Sequence, residues 1–351
     1  MKKLANVLGL GLIGGSIAAG LRSRGWTVWG SDLDPHRESD ALSRGIIDTT
    51  GLNKNASITF VATPVKTITE NIERILAQTT GLVTDVGSVK LPIVSKISND
   101  RYIGGHPMAG SELEGLEGAD AALFEGAIWI LTPRPDASDK TFAAITDVVS
   151  ELGAEVLALS AASHDELVAT VSHVPHLTAA TLMSVAHLQS EEHVALLRLA
   201  AGGFRDMTRV ASGHPGIWLD ICETNREAIV DSLGNLIEGL SRVRHIVDEG
   251  DREELQKLLI DARVARSNLP SRAQQSEYLS EIKIAIPDKT GAAAEVFTLA
   301  AELGVNIMNF EVLHLVEGQR GVMVVVVETA VVDLFKGGLV ARGFKPTVTQ
   351  L

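Results

Sequence analysis

Residues 9–14 read Gly9-Leu10-Gly11-Leu12-Ile13-Gly14, and this run decides the fold. It lies between a short apolar stretch, residues 4–8, and a helical pattern, residues 16–24. Strand, glycine-rich turn and helix in that order are the context in which a GxGxxG run binds a dinucleotide. The first glycine allows the tight turn. The second lets the backbone approach a pyrophosphate, and the third lets helix and strand pack closely. The free N–H groups of the helix N-terminus then face the phosphates. A second strand, residues 27–30, runs into Ser31-Asp32. An acidic residue about 20 positions past the glycines accepts hydrogen bonds from the ribose hydroxyls of NAD and repels a 2′-phosphate. The run therefore predicts NAD binding by Gly9, Gly11, Leu12, Ile13, Gly14 and Asp32. Asp34, and the lack of an arginine directly after Asp32, favour NAD over NADP, while Arg37 argues the other way. A glycine-rich turn beside a solvated aspartate is the bland alternative, and the aligned features outweigh it.

Working outward, strand-like runs recur at residues 57–62, 82–85, 102–104, 127–131 and 155–159, several of them separated by helical stretches. That alternation predicts an α/β, Rossmann-type doubly wound parallel sheet over residues 1–160. From Ser163, which makes a capping-box pattern with Glu166, helical periodicity dominates. The long candidates are residues 165–188, 191–201 and 215–249, giving an all-helical domain over 161–270. The polar piece 267–280, with Pro270, reads as a linker. Beyond it, strand 282–286, helix 292–303, strands 306–315 and 321–329, helix 331–342 and strand 345–349 follow the β-α-β-β-α-β order of a ferredoxin-like domain over 280–351.

Composition narrows the function. With 31 basic and 44 acidic residues the net charge is −13, which argues against a nucleic-acid partner. An anionic substrate must then be captured by a local basic group. Cys222 is the single cysteine, so no intrachain disulfide or cysteine-cluster zinc site is expected, and a reducing compartment fits. The glycines and Ser16 in the first twenty residues break what would otherwise resemble a signal-peptide core. No apolar run reaches the ~20 residues of a membrane span. A cytoplasmic protein is expected.

Ligands of open parallel sheets sit outside the carboxyl ends of the strands. Three polar groups fall there: Thr63-Pro64, Gly87-Ser88-Val89-Lys90 and Gly104-Gly105-His106-Pro107. Thr63 or Ser88 alone reads as a turn or cap residue. A histidine between two glycines and a proline is no core helix histidine, and its small neighbours leave room for a ligand. His173 and His176, at i and i+3 around Pro175, resemble a metal pair, but no third ligand is evident and no metal is expected. Arg205 lies one turn before Arg209, with a surface ion pair as its ordinary reading. Ser111 and Glu112 follow His106 by about one turn and either gate the pocket or begin the next helix. His164 and His214 read as helix-start residues.

Gly105-His106-Pro107-Met108-Ala109-Gly110-Ser111-Glu112, Asp85-Val86-Gly87-Ser88-Val89-Lys90, Ser172-His173-Val174-Pro175-His176 and Gly202-Gly203-Phe204-Arg205-Asp206-Met207-Thr208-Arg209 resemble, in order and rough spacing, the motifs of the prephenate dehydrogenase family. The resemblance covers about residues 4–265. From Glu281, Pro287-Asp288-Lys289-Thr290-Gly291 and Gly304-Val305-Asn306-Ile307 resemble the signals of an ACT domain. No chorismate mutase segment precedes the nucleotide domain, so the resemblance is to the monofunctional form. It implies NAD-dependent oxidative decarboxylation of prephenate to 4-hydroxyphenylpyruvate, a step of tyrosine biosynthesis. It also implies that His106 binds the ring hydroxyl, that Ser88 touches hydroxyl and nicotinamide, and that Arg209 binds a substrate carboxylate. His173 and His176 would line the pocket near the pyruvyl side chain, and the helical domain would form a homodimer. In the ACT-like tail, Asp288, Gly291 and Asn306 would bind an amino-acid effector, with L-tyrosine the expected one. Arogenate dehydrogenase, another hydroxyacid dehydrogenase and a non-catalytic dinucleotide and amino-acid sensor stay open as alternatives.

Overall fold

The computed structural model describes residues 2–111, 113, 115–192, 196–268, 279–287, 291–314 and 320–350. The glycine-rich run joins β1 (Leu4–Leu8) to α1 (Leu12–Ser23). The chain continues through β2 (Thr27–Ser31), α2 (Pro35–Ser43), β3 (Thr49–Thr50), β4 (Ile58–Val61), α3 (Val65–Gln78), β5 (Leu82–Asp85), α4 (Leu91–Val94) and β6 (Tyr102–Pro107). Next come β7 (Ile128–Thr132), α5 (Asp139–Glu151) and β8 (Glu155–Ala158). These strands form one sheet in the order β3-β2-β1-β4-β5-β6-β7-β8. The two-residue edge strand β3 has no counterpart in the sequence expectation.

The sheet departs from the all-parallel expectation at β7, which runs antiparallel to β6 with His106 opposite Ile130. A parallel neighbour needs a crossover of a dozen or more residues, usually a helix. The β6–β7 connection holds only a 3-10 turn at Gly115–Gly118 among its described residues, so the chain returns along the same end of the sheet. That keeps Ser111 at the carboxyl end of β6. Phe60, Trp129 and Phe124 pack edge-on and tilted in the sheet core.

After β8 the chain turns helical. Ser160, not Ser163, caps α6 (Ala161–Val168): its Oγ accepts from Ser163 N at 3.1 Å. A single π-helical turn, Ala169–His173, leads into α7 (Val174–Glu192). The expected helix at 191–201 is not continuous. Residues 193–195 lie outside the described residues, Leu196–Leu199 is a 3-10 turn, and α8 (Gly202–Thr208) folds back onto α7. The expected 215–249 helix is broken at Asn225 into α9 (Pro215–Thr224) and α10 (Arg226–Glu249), because the Asn225 side chain is drawn into buried hydrogen bonds. Helix α11 (Arg252–Ser267) follows. Among the described residues no helix is long and apolar enough to cross a membrane.

The chain divides into compact units at Leu255 and Gln256. The second unit carries β9 (Leu279–Pro287), α12 (Ala292–Glu302), β10 (Asn309–His314), β11 (Arg320–Glu328), α13 (Val332–Ala341) and β12 (Pro346–Gln350). Its antiparallel sheet has the order β10-β11-β9-β12, so the β-α-β-β-α-β connectivity read from the sequence is present. Ile282, Ile284, Val325, Val327, Phe335 and Leu339 form its core against the two helices.

Candidate active site

The glycine-rich turn has the shape a dinucleotide needs. Gly9 adopts φ +92°, and a Cβ there would lie 2.4 Å from Ala62 O. A Cβ on Gly14 would strike Gly9 O, so helix and turn touch at that point. At Gly11, the residue before α1, no atom of the described residues beyond its chain neighbours lies within 4 Å of the Cβ position, and none of their side chains caps the helix. That open backbone with free helix N–H groups, Leu12 and Ile13 among the first helical residues, fits a pyrophosphate. Asp32 Oδ2 accepts from Leu10 N at 2.7 Å and Oδ1 from Asp34 N at 2.9 Å, which staples β2 to the glycine turn. A carboxylate has about four acceptor sites, so ribose hydroxyls remain within its capacity. Arg37 lies 4.0 Å from Asp32 and 3.9 Å from Asp34. Thr63 follows β4 and takes a hydrogen bond from Asn71 at 3.2 Å, and Pro64 precedes α3.

Ser88 lies half-buried in the bend after β5, beside β6 with His106. What holds this corner is a buried polar set that the sequence does not announce. The Lys90 ammonium, with no exposed surface, contacts Asp85 Oδ1 and donates to Gly105 O at 2.7 Å. Asp85 also accepts from Tyr102 Oη at 2.6 Å and from Gly87 N at 2.8 Å. One ion pair thus fixes both the Ser88 bend and the residue before His106. Burial pushes the Lys90 ammonium below its ordinary value, opposed by Asp85, and raises the Tyr102 phenol well above its own.

His106 is buried, and its Nδ1 lies 2.8 Å from Nε2 of His164. His164 Nδ1 lies 2.7 Å from Asp165 Oδ1. Asp165 in turn accepts from Lys90 N at 2.7 Å and Leu91 N at 2.8 Å. Burial first, then the neighbouring His164, Lys90 and His173, hold His106 well below the usual histidine range, which favours the neutral imidazole. His164 does sit in the first turn of α6, as expected, but its contact with His106 went unread. A His-Asp pair just after a capping serine was the signal.

The pocket histidines come next. Asn225 Nδ2 donates to Asp165 O at 2.9 Å and faces His173 Nδ1 at 3.3 Å. His173 Nδ1 is therefore the acceptor, and its Nε2 carries the proton without a partner among the described residues. Burial lowers the His173 pKa to about 4. His176 stacks on Trp218 with centroids 3.5 Å apart, and desolvation lowers it too. The stack brings Trp218 against His176, a contact that sequence reasoning missed.

Arg209 is exposed and opens the 3-10 turn Arg209–Ser212, which packs on α7. A side chain on the following Gly213 would lie 3.3 Å from both the His176 ring and Trp218 Nε1. The turn thus ends against the His176–Trp218 stack. Arg205 donates to Ala200 O at 3.2 Å. Ser111 is exposed, its Oγ accepting from Leu113 N at 3.1 Å. Glu112 lies outside the described residues. Val89, Ala169, Ile221 and Ile229 form a small apolar cluster that fastens the Ser88 bend to the helices. Among the described residues no three His, Cys, Asp or Glu side chains are grouped as metal ligands.

In the C-terminal unit Gly291 adopts φ +89° before α12, and the exposed Asn306 amide contacts Met308 Sδ at 3.3 Å. Asp288 lies outside the described residues.

Two family models match this chain: the prephenate dehydrogenase nucleotide-binding domain over residues 17–158 and the prephenate dehydrogenase dimerization domain over residues 160–261. The chain is 31% identical to the prephenate dehydrogenase of Bacillus subtilis (strain 168), covering 92% of this chain and 91% of that protein. Among solved structures it is similar to the A. aeolicus prephenate dehydrogenase in complex with hydroxyphenyl propionate and NAD+, with TM-score 0.71 and 30% identity over 76% of this chain and 98% of that one. It is also similar to Synechocystis arogenate dehydrogenase, with TM-score 0.67 and 30% identity over 76% of this chain and 100% of that one.

Proposed function

Because the chain belongs to the prephenate dehydrogenase family, we propose that the buried corner at His106 is the active site at which prephenate is oxidised and decarboxylated to 4-hydroxyphenylpyruvate. The enzyme is an NAD-dependent oxidoreductase. NAD, when bound, accepts a hydride from the ring carbon that bears the hydroxyl. Gly9, Gly11, Leu12, Ile13 and Gly14 would hold its pyrophosphate and Asp32 its ribose, and Thr63, Pro64 and Ser88 would border the rest. The observation that carries the reading is the buried His106 ring beside the Ser88 bend, its Nδ1 2.8 Å from His164 Nε2.

His106 accepts the hydroxyl proton as carbonyl character develops, the ring carboxylate then leaves as carbon dioxide because the product is aromatic, and the proton returns to the phenolate oxygen. A positioned base of this kind contributes roughly 10²–10⁴-fold. Ser88 orients the hydroxyl. Arg209 binds a substrate carboxylate through its planar fork, and Arg205 supports it one turn away. His173, with its unpartnered Nε2–H, and His176, on Trp218, line the side-chain end. Ser111 and Glu112 border the mouth.

The helical domain pairs two chains into a homodimer. Leu188, Leu199, Leu219 and Ile237 are each more than 60% exposed in the single chain, and apolar surface of that kind marks a partner face. The C-terminal unit is an ACT domain that binds L-tyrosine through Asp288, Gly291 and Asn306. Its support is the β-α-β-β-α-β connectivity and the left-handed Gly291 ahead of a helix. The enzyme works in the cytoplasm.

NADH formation, followed with prephenate and with arogenate in parallel, using NAD and then NADP, tests the substrate and cofactor together. Prephenate with NAD is expected to be the fastest pair. Faster turnover of arogenate would move the chain to the substrate of its Synechocystis relative.

A further inference from the structure

We infer that Asp165, acting through His164, holds His106 in the one tautomer that can serve as a base. The inference rests on the reading of His106 as the base.

The hydrogen bonds place the protons one after another, from Asp165 to His106. Two backbone amides, Lys90 N and Leu91 N, donate to the Asp165 carboxylate at 2.7 and 2.8 Å. A carboxylate so placed can only accept. The 2.7 Å contact to His164 Nδ1 therefore needs the proton on that nitrogen. With one proton on each ring, His164 Nε2 presents a lone pair. His106 Nδ1, 2.8 Å away, must then carry the proton. His106 Nε2 is left with its lone pair, ready to take the substrate's hydroxyl proton. Left alone, a histidine side chain favours the opposite tautomer, with the proton on Nε2.

The same chain helps after proton transfer. The hydroxyl O–H bond breaks as His106 Nε2–H forms, and the new positive charge is shared across Nδ1–H toward His164 and the Asp165 carboxylate. Without such help, the site resists an imidazolium. The charged and titratable groups that act on the pair are Lys90 from the bend after β5 and His173 from the π-turn, with Asp85 and Tyr102 behind Lys90. Burial first, then His164 and Lys90, oppose charge on His106, so the hydrogen bond to His164 helps only because Asp165 balances that ring. His164 and Asp165 are thus positioning residues, placed on α6 to act through His106.

The test is 15N NMR of the His106 ring in the full-length enzyme, with kinetics, for wild type, His164→Phe and His164→Gln. Wild type should show Nδ1 protonated and Nε2 bare. His164→Phe should move the proton to Nε2 and lower kcat by about 10²–10⁴-fold, as misplaced tautomers do elsewhere, with NAD affinity unchanged. His164→Gln, whose amide oxygen can still accept from Nδ1, should restore the wild-type signature and return kcat to within about tenfold. The double variant His106→Asn/His164→Phe should be no slower than His106→Asn alone, since residues acting as one unit are not additive. A proton on Nε2 in wild type overturns the inference, and does so even if a variant fails to fold. So does full kcat in His164→Phe while His106→Asn is slow. If His106→Asn itself turns over like wild type, the base reading falls, and the inference falls with it.

Discussion

At the carboxyl end of the N-terminal sheet, Asp85, Lys90, His106, His164, Asp165 and Asn225 are all buried and joined by hydrogen bonds. In the C-terminal unit the buried residues are apolar, with Ser280 the buried polar exception among the described residues. Both regions are cores, but they are stabilised differently. The C-terminal core is held by area removed from water, which has no direction. The N-terminal corner is held by directional groups that are costly when any member is left unpaired. A fold needs only the first kind. The second survives where a charge or a proton must be held at one atom, so the contrast separates the chemistry from a module whose candidate site is an exposed loop.

The largest expected effect separates the two cores directly. Lys90→Met strands Asp85 as a buried unpaired charge and should cost about 3–5 kcal/mol in denaturant unfolding, with turnover lost as well. Phe335→Ala, in the apolar core, should cost a similar ~3–5 kcal/mol to its own unit. Turnover of that variant should stay near the wild-type value. Lost turnover in Phe335→Ala, with the N-terminal unit still folded, would break the contrast.

Acid should expose the next difference. His106, His173 and His176 all have lowered pKa values, burial being the first cause in each. The unfolded chain binds protons near the ordinary ~6.5 while the folded chain does not, so stability is full above that pH and drains as pH falls. His173, with its folded value of about 4, alone accounts for roughly 3 kcal/mol between those limits. Urea melts from pH 7 to 4.5 should show a smaller loss for His173→Phe than for wild type. Equal losses would mean that His173 is not held neutral.

Arg209→Gln should raise the Michaelis constant for prephenate about 10- to 100-fold, the worth of a charge-assisted bond to a carboxylate. A fall in turnover at unchanged substrate affinity would contradict that role. The smallest effect belongs to the C-terminal unit: Asn306→Ala should weaken L-tyrosine binding about fivefold in calorimetry of the full chain, the value of one neutral hydrogen bond. Substrate must then shift tyrosine affinity by the factor by which tyrosine shifts substrate affinity.

How far the sequence carried depends on how local each feature is. The strand–turn–helix at Gly9–Gly14 and the β-α-β-β-α-β tail were legible because periodicity and turn glycines are written within a few residues. The reversed β7 was not, since strand direction depends on a connection whose path is set by the whole sheet. His106 was legible from its glycine and proline neighbours. His164 was not, because its partner is 58 residues away and the neighbouring Asp165 hints at a held ring without saying which residue that ring meets. The burial of Lys90 was not legible either, because the Asp85 and Gly105 that surround it come together only in the folded sheet. The break at Asn225 was hidden for a similar reason: its cause lies at Asp165, 60 residues back.

The central claim is that a buried neutral His106 is the base of the reaction. Its most direct test is steady-state NADH formation from prephenate by His106→Asn, alongside a fluorescence titration of NAD binding. Turnover should fall by roughly 10²–10⁴-fold while NAD affinity and unfolding midpoint stay at their wild-type values. Turnover within a few-fold of wild type would remove His106 from the mechanism.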